Sequence, residues 1–291
     1  MRKLFIKKLI ELNKKKNVYL IINDLGYNVV EPFANLFPKN FFNAGVSEQN
    51  MMGMSAGIAS ENCQTFVYSI ANFSTFRCAE QIRNDVDYHK LPVTIVSVGS
   101  GVGYGNLGYS HHALQDYALM RSFPNMQILS PGNNNELTGI MNYIKKNPQP
   151  SYLRLDKSEH PEIKSKKLLI SPGKIVKLVN GDKKKIILTT GCVQNLANYI
   201  RLKNYKNYSL YSMPIWGAKI KNKVKNTIKK FDEIITIEDH FQDGGFGSWL
   251  SECINNSDIK TIIKSKYINK DVIDKVGSNE YLIKKYGPQI A

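Results

Sequence analysis

No stretch of about 18 consecutive apolar residues, the length a membrane-crossing helix needs, occurs in this sequence. Its opening, Met1-Arg2-Lys3-Leu4-Phe5-Ile6-Lys7-Lys8, is charged and amphipathic and lacks the apolar centre and small-residue cleavage site of a secretory signal. These absences predict a soluble, cytoplasmic chain with no membrane partner. Cysteine is scarce, and Cys63, Cys78, Cys192 and Cys253 stand far apart. That spacing excludes a zinc site built on close cysteine pairs and a disulfide-stapled scaffold, so reduced thiols are expected. Acidic residues are also few, 24 Asp and Glu against 40 Lys and Arg, for a formal charge of +16. Such an excess suits phosphate-rich partners. However, the lysines concentrate in the first helix and around residues 164–185 and 219–230, mixed with Asn and Ile and without a recognition motif. No nucleic-acid partner is expected.

What the sequence does have is alternation: apolar stretches of strand length are separated by amphipathic stretches of helix length, which predicts an α/β fold. Strands are expected at residues 18–22, 65–69, 93–98, 126–130 and 152–155, with helical spacing over 48–60 and 75–87. A charged stretch containing Pro161 then reads as a linker. A second unit follows, with strands at 185–191 and 233–238, a helix at 193–202, and another helix opened by Gly244-Gly245-Phe246-Gly247-Ser248. The expectation is two domains, each a mainly parallel sheet covered by helices, at residues 1–156 and 174–291 with a linker at 157–173. A hydrophobic content of 42% can fill a sizeable core.

Asn43-Ala44-Gly45-Val46-Ser47-Glu48-Gln49-Asn50 places a carboxylate at a predicted helix start, where the helix dipole favours negative charge. On spacing alone Glu48 could equally be an ordinary first-turn acid. Gly53, Ala56 and Gly57 on the same helix allow close approach of another helix, in a core or at an interface. Ala71-Asn72-Phe73-Ser74-Thr75-Phe76-Arg77 follows one predicted strand, and the glycine-rich loop from Gly99 to His112 follows another. The loop glycines alternate and lead into no helix, so this is not a dinucleotide-binding fingerprint.

Gly45-Val46-Ser47-Glu48-Gln49-Asn50 is similar to the pyrimidine-domain motif of transketolases and deoxyxylulose phosphate synthases, and Gly108-Tyr109-Ser110-His111 resembles their Gly-Pro-Thr-His segment. The resemblance implies that Glu48 bonds N1' of the aminopyrimidine of thiamine diphosphate. A buried acid sharing that proton lets the cofactor deprotonate its own thiazolium carbon. It also implies that Phe73, or else Phe76, stacks on the pyrimidine. His111 then contacts substrate and handles protons, supported by His112. Arg154, in Pro150-Ser151-Tyr152-Leu153-Arg154-Leu155, and Arg77 bind substrate, a guanidinium fork suiting phosphate. Glu238-Asp239-His240 with the glycines after it resembles the family's C-terminal domain signature, and Gly277-Ser278-Asn279-Glu280 extends the likeness; glycines before a helix can also look like a phosphate loop. Two positions depart from the pattern: Leu107 stands where an Asp reads the donor's hydroxyl, and Gly99 where an upstream His is usual.

The family's Gly-Asp-Gly and later Asn, which hold the metal that anchors the diphosphate, have no counterpart, since Gly181-Asp182 runs into Lys183. The chain is thus identified as the C-terminal section of a split transketolase. An N-terminal subunit is expected to carry the Gly-Asp-Gly site and its Mg2+ or Ca2+, in an α2β2 heterotetramer, with no metal ligand in this chain. The implied reaction moves a two-carbon ketol unit from a ketose donor to an aldehyde acceptor, on a sugar phosphate or an activated sugar such as a nucleotide-linked one. Decarboxylation of a 2-oxo acid, as in deoxyxylulose phosphate synthases or oxo-acid dehydrogenase β subunits, and a non-catalytic subunit are the alternatives.

Overall fold

The computed structural model describes residues 1–158, 163 and 169–288, so most of the expected linker lies outside the described residues. Twelve described strands form two sheets. The first contains β1 (Val18–Ile22), β2 (Phe41–Asn43), β3 (Gln64–Ile70), β4 (Val93–Val98), β5 (Gln127–Leu129) and β6 (Ser151–Leu155). The second contains β7 (Val176–Val179), β8 (Lys185–Thr189), β9 (Ser209–Ser212), β11 (Glu233–Ile237) and β12 (Ile262–Lys266). The remaining strand, β10 (Ile215–Gly217), follows the expected linker in sequence yet pairs antiparallel with β5, giving a first sheet of order β10-β5-β6-β4-β3-β1-β2. The second sheet runs β12-β11-β8-β9-β7 and is parallel except for β7 against β9. The fold is therefore α/β with two mostly parallel sheets, and the first borrows an edge strand from the later half of the chain.

Period-two alternation along the first sheet explains its two cores. Leu20 and Ile22, Phe66 and Tyr68, Val96 and Val98, and Leu153 and Leu155 face one side. There they meet Phe5 and Leu9 of the helix Arg2–Asn13 and Leu137 and Ile140 of the helix Asn134–Lys146. Ile21, Val67, Ile95 and Tyr152 face the other side, against Met51, Met52 and Ala56 of the helix Glu48–Ser60 and Ile82 and Val86 beyond it. Burial on both faces is why these strands read as continuous apolar runs.

The segment expected as one helix at 75–87 is broken into an α turn (Ala71–Thr75), a 3-10 turn (Phe76–Cys78), a further α turn (Ala79–Gln81) and a π turn (Ile82–Asp87). Tightening at Phe76–Cys78 and widening at Ile82–Asp87 re-aim side chains that a regular helix would have spaced evenly.

Candidate active site

In parallel α/β sheets, ligands bind beyond the carboxyl ends of the strands. The singled-out loops after β2, β3 and β4 all leave that edge. After β2, the Asn43 side chain accepts from the backbone amides of Asp24 (2.9 Å) and Gly45 (3.0 Å), and Gly45 turns the chain at φ +72°, a left-handed conformation open to glycine. The helix that follows starts at Glu48, whose side chain is only 6% exposed. Arg77 Nη1 donates to Glu48 Oε1 at 2.7 Å, and the same guanidinium lies 4.3 Å from the centre of the Phe73 ring. A hollow of about 440 Å³ is lined by Arg77, Glu48 and their neighbours Val46, Ser47, Gln49 and Asn50.

The row continues through the glycine-rich loop. The His111 ring meets Phe73 edge-on at 5.1 Å, with Nδ1 2.9 Å from Ser110 Oγ. Burial, and then the nearby Arg77 charge, push its pKa below the usual imidazole value, which keeps it neutral near pH 7. Asn72, beside Phe73, donates from Nδ2 to the carbonyls of Ser110 (3.0 Å) and His112 (2.9 Å), so one amide clamps the backbone on both sides of His111. Tyr104 lies 6.3 Å from His111, and Lys157 Nζ sits 5.0 Å from the Tyr104 ring. Glu48, Arg77, Phe73, His111, Tyr104 and Lys157 are thus joined by successive contacts, with a cation near each end of the series. Phe76 is turned away: it is 46% exposed on the 3-10 turn, whereas Phe73 meets both Arg77 and His111. His112 is wholly buried.

The expectation for Arg154 is corrected. Its side chain is fully buried on β6 and its donors are consumed internally: Nε meets Asp116 Oδ2 (2.7 Å), Nη1 meets Asp239 Oδ1 (2.5 Å), and Nη2 meets the Ala113 carbonyl (2.6 Å). It ties the first sheet to the loop after β11 and has no donor face left for a substrate phosphate. Lys157, exposed just beyond the end of β6, is the cation that strand places beside Tyr104.

Residues 1–162 match the family described as "Transketolase, pyrimidine binding domain". A putative transketolase C-terminal section from Methanocaldococcus jannaschii is 36% identical over 99% of this chain and 92% of that protein. This chain belongs to the transketolase family. It corresponds to the C-terminal part of a split transketolase. A subunit of the apulose-4-phosphate transketolase from Actinobacillus succinogenes is 29% identical over 89% of this chain and 84% of its own length. A solved split-gene transketolase, described as an inactive β4 tetramer, superposes with a TM-score of 0.83 at 28% identity, over 99% of this chain and 93% of that one.

The transketolase-like signature after β11 is structural in this chain. Glu238, fully buried, accepts from the amides of Phe246 (2.6 Å) and Gly247 (2.9 Å), filling with its own carboxylate the helix N-terminus that resembles a phosphate loop. Burial pushes its pKa up to about 8. Gly245 is glycine because a side chain there would strike that carboxylate. Beside it His240 is wholly buried, stacked on Tyr117, with Nδ1 2.7 Å from the Phe241 carbonyl. Burial lowers its pKa to about 4 against the opposing pull of Asp116, with Arg154 and Arg121 lowering it further. The unfolded chain, titrating near 6.5, therefore binds more protons between about pH 4 and 6.5, so His240's contribution is complete above that window and is lost as pH falls through it. Urea unfolding at pH 7 and pH 4.5 should show the wild type losing up to roughly 3 kcal/mol more than His240→Phe across the window. Equal losses in the two proteins would contradict this.

Two departures from the family pattern also have a physical setting. A side chain on Gly99 (φ +92°) would collide with the Tyr104 ring, so Tyr104 fills the space beside Gly99. Leu107 is exposed on the 3-10 turn Gly105–Leu107.

Proposed function

We propose that this chain holds the aminopyrimidine end of thiamine diphosphate and that an N-terminal partner subunit supplies the Mg2+ and diphosphate end, in an α2β2 assembly that transfers ketol units. The observation that carries this reading is the meeting of buried Glu48, Phe73 and His111 at the carboxyl edge of one sheet. When bound, the cofactor supplies the nucleophilic carbon that takes a two-carbon unit from a ketose and passes it to an aldehyde. Glu48 exchanges a proton with the pyrimidine nitrogen, and Phe73 sets the plane of the ring. His111, neutral and held at Nδ1, exchanges a proton with substrate oxygens through Nε2. Lys157 attracts the anionic end of a phosphorylated ketose, the role the sequence alone suggests for Arg154.

The open face of the Glu48 helix suits a partner: a Cβ at Gly53 or Gly57 would meet no atom within 4 Å. Exposed helical glycines cost stability unless a neighbour uses the space. The apulose-4-phosphate transketolase relative is itself one subunit of its enzyme, and the β4 tetramer is described as inactive; both fit a chain that works only when paired.

The test is to combine the chain with its partner and supply a ketose phosphate, an acceptor aldehyde, Mg2+ and thiamine diphosphate. A product two carbons longer than the acceptor is expected; its absence, with carbon dioxide released when pyruvate replaces the ketose phosphate, would contradict ketol transfer. In the same assay Asn72→Ala, which frees the backbone around His111, should lower kcat by roughly 10- to 100-fold. Its cofactor dissociation constant should stay that of the wild type. Loss of cofactor binding with kcat retained would exclude the clamp.

A further inference from the structure

The Arg77 guanidinium makes both contacts that a flat heterocycle would make in this site: it lies over the Phe73 ring at 4.3 Å and donates in hydrogen-bond range, 2.7 Å, to Glu48 Oε1. A guanidinium is planar and delocalised, with its N–H groups in the plane. One face on an aromatic ring and an in-plane nitrogen joined through a proton to a carboxyl group is also the arrangement an aminopyrimidine takes. We infer that Arg77 is a placeholder in the pyrimidine site, which the incoming cofactor displaces before it can reach Glu48 and Phe73.

Exposure is distributed as this requires. The Glu48 side chain is nearly buried and fixed by its helix, whereas the Arg77 side chain is 51% exposed. Arg77 also sits on the 3-10 turn between two short α segments, at the edge of the hollow beside Glu48. An ion pair with one half-exposed member is weak, and its stacking on Phe73 adds a contact of similar size, so together they hold the side chain without locking it. While Arg77 is in place the site is closed, and the apparent cofactor affinity is reduced by the fraction of molecules in which it is open.

This inference rests on the thiamine diphosphate reading and makes a prediction of opposite sign to that for a ligand-binding arginine. Thiamine diphosphate with Mg2+ is titrated calorimetrically into the assembled pair, as wild type, Arg77→Ala and Arg77→Gln. Both variants should bind roughly three- to tenfold more tightly than wild type. Weaker or unchanged binding by the variants, with the wild type still binding, would overturn the placeholder and leave the cofactor reading intact. Absence of binding by the wild type would remove the reading and the inference together.

Discussion

Glu48→Gln in the assembled pair is expected to lower ketol-transfer turnover by about 10²- to 10⁴-fold, the usual contribution of a positioned acid or base. Glutamine preserves the volume and a hydrogen bond at the buried first turn of the helix, so the substitution removes proton exchange and little else. Secondary structure by circular dichroism should be unchanged. Thiamine diphosphate should still bind, because Phe73 and the partner's diphosphate site remain. Turnover within about threefold of wild type would show that Glu48 is the ordinary helix-start acid that its spacing alone permits.

Arg154→Met should have the other large effect, on folding and not on catalysis. Removing the guanidinium leaves Asp116 and Asp239 buried without the one cation that both are paired with. Breaking a buried ion pair by deleting one partner costs about 3–5 kcal/mol, a large share of the roughly 5–15 kcal/mol that keeps a domain folded. Urea unfolding of the chain should show that loss. A combined Arg154→Met, Asp116→Asn, Asp239→Asn variant should recover part of it, since it buries no uncompensated charge. An arginine that met only substrate at the surface would change stability by no more than about 0.5 kcal/mol and would raise KM. That pattern would restore the phosphate role and contradict the network.

The difference between Glu48 and Arg154 explains what is legible in the sequence. The strands β1, β3, β4 and β6 are visible there because sheets buried on both faces leave unbroken apolar runs. Glu48, Phe73 and His111 stand out in the sequence because each follows a strand, at a helix start or in a short helical turn, where a polar or aromatic residue interrupts the apolar pattern. Arg154 interrupts the pattern too, but it stands on the strand, and only the fold reveals that Asp116, 38 residues earlier, and Asp239, 85 residues later, converge on it. Lys157 is hidden for the converse reason: a lysine in a charged stretch carries no signal until the strand end aims it at Tyr104. β10 escapes because three residues paired antiparallel to a distant strand have no local signature. The broken helix around Arg77 keeps a helical spacing in sequence while its turns change pitch.

The central claim is that this chain carries one half of a thiamine diphosphate site and that a second chain completes it. Equilibrium titration of thiamine diphosphate with Mg2+ into the chain alone, the partner alone and the mixed pair tests that claim most directly. The account predicts saturable binding of one cofactor per chain pair in the mixture and much weaker binding to either chain alone. Equally tight binding by this chain without a partner, or no binding by the pair, would contradict it.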